Sequence, residues 1–266
     1  MTNFRRPSAV LAVIAGTIAS SAQVFLPAVA DTMYIIECAG ERFDSLGRSF
    51  IIIEGDTLHT SFLPDPFRMY HSGPLTKSDY AEAAAALNVE PATIRAVVEI
   101  ETGSTRRGFH DEGKPVINFE QALFRRYAAK RGVNLSAHAS SPALKPLNIA
   151  KYGSQQAAQQ ARLDAAMAID SVAAIESTFW GMFQIGGFNW KLCGAQSHAE
   201  FVELMSRSEY DQLRLFTDYI HNTGLDRHLQ TRSWAAFARI YNGPSYAARR
   251  YHTRLAEAYR RYSKEK

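Results

Sequence analysis

The sequence is poor in cysteine, and after its first thirty residues it has no long apolar run. Cys38 and Cys193 are the only cysteines among 266 residues. If the protein works in an oxidising compartment, they can form one disulfide that ties the N-terminal segment to the rest; two independent thiols are the alternative. No group of cysteine and histidine residues has metal-ligand spacing, so we expect no metal and no cofactor. No stretch after residue 30 is long and apolar enough to span a bilayer.

The chain also has little net charge, at +4, so overall charge does not indicate a partner. The charge is unevenly distributed, because residues 226–266 carry ten lysines and arginines against three acidic residues. Such a basic end can draw a protein to an anionic polymer or membrane surface, although most such runs are solvated helix faces. No nucleic-acid-binding motif is present, so nucleic acid is not an expected partner.

The N-terminus has the layout of an export signal. Arg5 and Arg6 precede an apolar run from Ala9 to Ala30, which ends in small residues before Asp31. This pattern predicts a signal peptide over residues 1–30, cleaved near Ala30, and a periplasmic or secreted protein. A retained membrane anchor is the alternative.

The rest of the chain divides into a small β-containing segment with a linker, residues 31–75, and a helical domain, residues 76–266. Runs rich in β-forming residues predict a hairpin of Met33 to Ile36 with Ser49 to Ile53. Thr76 to Asp79 is a capping box ahead of a helix from Tyr80 to Leu87. A polar, proline-containing stretch from Gly132 to Gly153 predicts a long irregular loop, either a cleft rim or a surface insertion. Further helices are predicted at Phe119 to Arg131, Gln155 to Asp170, Ala199 to Met205, Tyr210 to Asn222, Ser233 to Tyr241 and Ser245 to Tyr262.

Glu101 lies on the apolar side of a short helix that begins at Pro91 and ends at Gly103. Helical spacing places it on one stripe with Ile94, Val97 and Val98, and places Glu99 on the far side, where it can pair with Arg95. Burial raises the pKa of a carboxyl group, and a carboxylic acid that keeps its proton near neutral pH can protonate a leaving oxygen. A structural ion pair is the alternative for an isolated glutamate.

Three short motifs follow one another: Glu101-Thr102, then Gly181-Met-Phe-Gln184, then Tyr241-Asn242-Gly243. Together they resemble the motifs of the lysozyme-like superfamily, which includes goose-type lysozymes and lytic transglycosylases. The segments Gly113 to Glu120, Tyr152 to Gln155, Trp180 to Asn189 and Phe237 to Tyr246 are, more specifically, similar to the N-acetylmuramidase family of phage endolysins and bacterial cell-wall enzymes. The resemblance covers roughly Tyr80 to Tyr259.

This resemblance implies a mainly α, lysozyme-like helical domain that cleaves the β-1,4 bond between N-acetylmuramic acid and N-acetylglucosamine in peptidoglycan. Glu101 is the expected acid. Gln184 and Asn242 are expected to offer amide hydrogen bonds to N-acetyl groups or water, and Tyr241 to place its hydroxyl and ring against Glu101 or the sugar. Thr102 stands where relatives commonly carry serine, and keeps the hydroxyl.

Glycosidases usually need a second carboxylate. Glu120 matches a family glutamate and is the leading candidate, with a structural ion pair as the alternative; Asp111 and Glu112 lie in the preceding loop. The aromatic residues Trp180, Phe183, Phe188 and Trp190 can either stack on sugars or pack in the core.

The sequence therefore predicts a bacteriolytic, exported peptidoglycan hydrolase. A lytic transglycosylase, which forms anhydro ends, and a catalytically inactive wall-binding module are the alternatives. The expected partner is the peptidoglycan glycan strand, with an immunity or inhibitor protein as a further candidate, and we expect a monomer.

Overall fold

The computed structural model describes residues 42–43, 49–53, 56–59, 73–103 and 107–265. The chain divides into two compact units, residues 1–70 and 71–266. The predicted signal peptide over residues 1–30, the predicted strand Met33 to Ile36 and Cys38 lie outside the described residues. Signal cleavage and the pairing of Cys38 with Cys193 therefore stay predictions.

The first unit contains a three-stranded antiparallel sheet in the order β1-β2-β3. The strands are β1 (Arg42–Phe43), β2 (Ser49–Ile53) and β3 (Asp56–His59). The predicted strand at Ser49 to Ile53 is confirmed, and it pairs with β1 on one side and β3 on the other.

The second unit is built mainly from α-helices, and the predicted fold class is confirmed. Its helices are α1 (Lys77–Ala86), α2 (Pro91–Thr102), α3 (Gln121–Lys130), α4 (Ile149–Tyr152), α5 (Gln155–Met167), α6 (Ser171–Glu176), α7 (His198–Arg207), α8 (Glu209–Asn222), α9 (Asp226–Gln230), α10 (Trp234–Tyr241) and α11 (Tyr251–Tyr262). Its strands are β4 (Phe109–Asp111), β5 (Lys114–Pro115), β6 (Ile117–Phe119), β7 (Thr178–Trp180) and β8 (Ile185–Gly186).

Helix α1 has the predicted capping box, but it begins at Lys77, three residues before the predicted Tyr80. The Thr76 side chain accepts a hydrogen bond from the Asp79 backbone N–H, and the Asp79 carboxylate accepts one from the backbone N–H of Thr76. These reciprocal bonds satisfy two backbone donors that a helix start otherwise leaves unpaired.

Helix α2 lies in the core of the second unit, packed against α1 and α11. Pro91 stands in its first turn, where a missing N–H has no cost, and Gly103 follows its last residue with a φ of 61°. The predicted stripe is confirmed, because Ile94 and Val97 are fully buried and Val98 is nearly so. The end of a rigid, well-packed helix therefore carries Glu101.

A small antiparallel sheet, in the order β6-β7-β8, lies beside these helices. The outer edge of β6 is covered by two side chains of α5. Gln156 exchanges two hydrogen bonds with the backbone of Ile117, and Gln159 accepts one from the Phe119 N–H. These amides satisfy backbone groups that an edge strand would otherwise expose.

Several element boundaries differ from the predictions. Phe119, predicted to begin a helix, lies in β6, and α3 starts two residues later. The predicted helix over Ser245 to Tyr262 is two pieces, a 3₁₀ turn at Pro244–Tyr246 and α11, separated by Arg250 with a φ of 55°. The region from Gly132 to Gly153 is irregular as predicted, but it holds two 3₁₀ turns and the short helix α4.

None of the helices in the described residues is long and apolar enough to cross a membrane.

Candidate active site

Glu101 lies in the last turn of α2, and its side chain is only partly exposed. Its neighbours on the same helix face are the buried residues Val97 and Val98. The carboxyl group has therefore lost most of its water while the residue keeps an accessible surface. A proton donor to a bulky substrate needs both properties.

The partner of Glu101 is Asn242, which follows the last residue of α10 as its C-cap. The Asn242 Nδ2 donates to Glu101 Oε1 at 3.0 Å and to Oε2 at 3.2 Å. Asn242 Oδ1 is buried and has no hydrogen-bond partner. The amide thus contacts both carboxylate oxygens and holds the group in one orientation.

Burial and the groups near Glu101 have opposite effects on its pKa. Burial raises the pKa of Glu101 from 4.5 to about 7, against smaller lowering effects of the Asn242 hydrogen bond and the positive charge of Arg254. Desolvation dominates because a buried carboxylate has little water to stabilise its charge. Near neutral pH a substantial fraction of the molecules therefore carries this proton.

Tyr241 lies next to Asn242, but its hydroxyl is directed elsewhere. It donates to the backbone carbonyl of Phe183 at 2.9 Å, and the expected contact with a sugar stays a prediction. Burial, with the nearby charge of Glu101, raises the pKa of Tyr241 well above its ordinary value, which keeps the phenol a hydrogen-bond donor. Tyr241 thus ties α10 to the turn that carries Gln184.

That turn, residues 181–184, joins β7 to β8. Its conformation demands a glycine at position 181, where φ is 69° and a Cβ would lie 2.7 Å from the Gln212 Oε1. Gln212 of α8 is fully buried; it accepts from the Met182 N–H and donates to the Met205 carbonyl. The buried Gln212 amide therefore holds the turn against α8.

Gln184 ends the turn with its side chain exposed and a φ of 49°. Its Nε2 donates to the Gly181 carbonyl at 2.9 Å, and the Val116 carbonyl lies at 3.5 Å. Thr102 uses its hydroxyl within its own helix, donating to the Val98 carbonyl at 2.7 Å. A substrate that accepts a hydrogen bond from either side chain would have to compete with these internal bonds.

Glu120 is the N-cap residue of α3 and follows β6 directly. Its Oε1 accepts from Asn118 Nδ2 at 2.8 Å, and Arg162 is close enough for its charge to be felt. Asn242 bonds to Glu101, and its chain neighbour Tyr241 bonds to the 181–184 turn, but none of the described hydrogen bonds of the Glu120 side chain reaches these residues. Asp111, an earlier candidate, is exposed and paired with Lys114.

The structure thus brings Glu101 and Asn242 into contact, and it bonds Tyr241 to the carbonyl of Phe183, the residue before Gln184. Sequence reasoning missed Arg254 and Gln212. Arg254 belongs to the basic C-terminal run, where only the regular charge spacing on a helix gave a signal. Gln212 reads as an ordinary residue of an amphipathic helix, and nothing in the sequence marks it.

The four aromatic candidates differ in how far they are exposed. Trp180 and Phe183 are 3% and 2% exposed and belong to the core, where Phe183 stacks on Phe216 with ring centroids 4.2 Å apart. Trp190 packs against the ring of His198. Phe188 is 43% exposed.

No group of three or more histidine, cysteine, aspartate or glutamate side chains within the described part of the chain is arranged to hold a metal ion. The prediction that the protein needs no metal stays a prediction.

Known proteins resemble this chain in sequence and in structure. A family model described as N-acetylmuramidase matches residues 90–263. The crystal structure of the Burkholderia AP3 phage endolysin is similar to this chain with a TM-score of 0.62 and 38% sequence identity, over 71% of each chain. No curated protein matches the sequence.

Proposed function

This chain belongs to the N-acetylmuramidase family and is a glycoside hydrolase acting on peptidoglycan, and we propose that it cleaves the β-1,4 bond between N-acetylmuramic acid and N-acetylglucosamine with Glu101 as general acid. The observation that carries this proposal is the position of Glu101, at an accessible helix end and bonded to Asn242, where burial raises its pKa to about 7. An enzyme acid works best when its pKa is close to the operating pH.

In the first step, the Glu101 proton moves to the glycosidic oxygen while the bond from that oxygen to the anomeric carbon breaks. Positive charge develops on the sugar, and Glu101 becomes a carboxylate. Burial favours the protonated form before the step, while the Asn242 amide and the Arg254 charge stabilise the carboxylate after it. Glu101 therefore keeps its proton before the step and can release it during the step.

Water then adds to the anomeric carbon, and this step needs a carboxylate to accept a proton or to stabilise the cationic sugar. We propose Glu120 for this role, because it matches the family glutamate and is held by Asn118. For Gln184 we propose a hydrogen bond to an N-acetyl group or to the attacking water. Thr102 and Tyr241 complete the proposed substrate-binding set, with Tyr241 acting through its bond to Phe183.

Analysis of the products by mass spectrometry tests the bond and the mechanism together. Digestion of purified sacculi should give muropeptides with reducing N-acetylmuramic acid ends. Reducing N-acetylglucosamine ends would overturn the proposed bond. Anhydro-muramic acid ends would instead identify a lytic transglycosylase, in which the hydroxyl of the sugar itself replaces water.

We also propose that the protein is exported to the periplasm or the medium after cleavage near Ala30, where it meets its substrate as a monomer. The Arg5-Arg6 and apolar pattern supports this proposal. Mass determination of the protein recovered outside the cytoplasm should give a chain starting near Asp31; recovery with the first thirty residues intact would contradict it. An immunity or inhibitor protein that covers the cleft is the further partner we propose, to be sought by co-purification with the inactive Glu101→Gln variant.

A further inference from the structure

A row of side chains crosses the small sheet on its outer face. The strand register pairs Asn118 with Phe179 and Phe179 with Gly186. Directly paired residues of antiparallel strands present their side chains on the same face. Thr178 and Trp180, which alternate with Phe179, are buried, whereas Phe179 and Asn118 keep partly exposed surfaces. This face is therefore open to a ligand.

The ring of Phe188 covers the glycine at the end of this row. A Cβ on Gly186 would lie 2.4 Å from the Phe188 Cε1, so only glycine allows the ring to rest there. The ring also meets the Phe179 ring edge-on at a centroid distance of 6.2 Å and the Tyr127 ring at 6.5 Å. Three contacts thus hold the Phe188 ring in place, although 43% of the residue is exposed.

This exposure needs an explanation, because core packing does not provide one. Five large apolar side chains in the described residues are exposed, and Phe188 is the aromatic one among them. A rigid, exposed aromatic ring offers a flat apolar surface at little cost in conformational entropy. Sugar rings in glycans have apolar C–H faces that pack on such surfaces, and polar edges that need hydrogen bonds.

Polar groups lie in the same row as the ring. The Asn118 amide accepts from Gln159 and donates to Glu120 at 2.8 Å each. These two hydrogen bonds orient the Asn118 amide and the Glu120 carboxylate, which lie at β6, the strand paired with Phe179. The outer face of the sheet therefore combines an apolar platform with hydrogen-bonding groups.

This face is continuous with the proposed active site. Strand β8 begins directly after Gln184, so Gly186 lies only about 7 Å further along the strand. The turn that holds Gln184 is bonded to Tyr241, the neighbour of the Glu101 partner Asn242. Because a glycan strand is a polymer, a strand bound at Glu101 continues past the cleaved bond and can reach the surface beside the acid.

We propose that Phe188, resting on Gly186 and supported by Phe179 and Tyr127, is a stacking platform for one pyranose ring of the peptidoglycan glycan, with Asn118 and Glu120 at its polar edge. The inference rests on the proposed function and adds to it a subsite for a sugar ring beside the cleaved bond.

Binding to purified sacculi, measured by co-sedimentation in the inactive Glu101→Gln background, tests the platform. Adding Phe188→Ala should weaken binding by up to about tenfold, the scale of one lost stacking contact. Phe188→Leu, which keeps apolar volume but removes the flat ring, should weaken it similarly, whereas Phe188→Tyr should restore most of it. Met167→Ala, a change at an exposed apolar residue of α5, is the control and should bind like the parent.

In the active protein, the same Phe188 variants should raise KM for sacculi more than they lower kcat. Unchanged binding and KM in Phe188→Ala would overturn the platform, as would binding by Phe188→Leu equal to that of the parent. Melting temperatures identify any variant that loses its fold, and Phe188→Leu then carries the test. Loss of lysis in Glu101→Gln with normal binding in the Phe188 variants would overturn this inference while leaving the proposed function intact.

Discussion

The two faces of helix α2 carry the same functional group in opposite surroundings. Glu99 faces α11, where Arg261 and Tyr262 both donate to its carboxylate. Arg95, the predicted partner of Glu99, instead bonds to Glu265 and lies over the Tyr262 ring. The pairing of Glu99 with Arg95 was therefore wrong, because the tertiary contact with α11 offers both side chains better-placed partners than the helix does.

Glu101, two residues further on, has a neutral amide as its hydrogen-bond partner and a burial effect that outweighs the charge of Arg254. The Glu99 carboxylate is thus bonded to a cation and a phenol, which stabilise its charge. The Glu101 carboxyl group is buried, which disfavours loss of its proton. The surroundings of each glutamate, not its place on the same helix, therefore decide which of the two can act as an acid. The changes predicted below each alter the surroundings or the identity of one acidic group.

The largest effect should come from exchanging the acid itself. Glu101→Gln is nearly isosteric but removes the proton, so lysis of sacculi should fall by at least about a hundredfold with folding intact. Glu99→Gln is the matched control, two residues away. It should keep lysis within a few-fold of the parent, and instead reduce stability by about 1 kcal/mol as its charged hydrogen bonds weaken. Equal loss of lysis in both variants would remove the distinction between the two faces.

The stability of the protein should show the cost of keeping Glu101 buried. Its pKa is raised in the folded state, so between pH 4.5 and about 7 the folded protein binds more protons than the unfolded chain, and stability falls as pH rises. A shift of this size corresponds to about 3 kcal/mol. Glu101→Gln should therefore gain stability over the parent, by up to that amount more at pH 8 than at pH 4, in urea denaturation. A pH-independent difference would contradict this.

An effect of about a hundredfold in kcat, the lower end for acid–base groups, is expected for Glu120→Gln, because the amide can no longer accept a proton or balance the cationic sugar. Kinetics on sacculi measure it, with Asp111→Asn as the control, since Asp111 is exposed and already paired with Lys114. Unchanged kcat together with reduced stability would instead make Glu120 a structural partner of Asn118 and Arg162.

The smallest effect should be a shift of the pH profile. Activity should decline on the alkaline side as Glu101 loses its proton around pH 7. Arg254→Gln removes a charge that lowers the pKa of Glu101, so the decline should move to higher pH, and Asn242→Ala should move it further because the hydrogen bond lowers the pKa more. Movement to lower pH in either variant would contradict the assigned causes.

Local patterns were sufficient to predict the parts of the fold whose determinants lie close in sequence. The capping box of α1 and the buried stripe of α2 follow from spacing alone, and so does the placement of Glu101 on the inner face. Strands β7 and β8 are three and two residues long, too short for a periodic signal. Phe119 fits a helical pattern but joins β6, because pairing with Thr178 outweighs its local preference.

For the site, the order of the motifs was the main predictive signal in the sequence. Asn242 contacts Glu101 across 141 residues, a contact that the ordered motifs suggested and that no local pattern contains. The Tyr241 hydroxyl donates to the carbonyl of Phe183, a backbone partner that a sequence motif does not identify. Gln212 and Arg254 act through tertiary packing, so their contributions appear only in the folded chain.

Titration of the Glu101 carboxyl group by NMR measures whether burial keeps this group protonated near neutral pH. Carbon-13 labelling of the glutamate side chains, with the signal assigned by its absence in Glu101→Gln, gives the protonation of this one group as a function of pH. We expect a midpoint near pH 7. A midpoint near 4.5, with the group fully ionised well below neutrality, would contradict it.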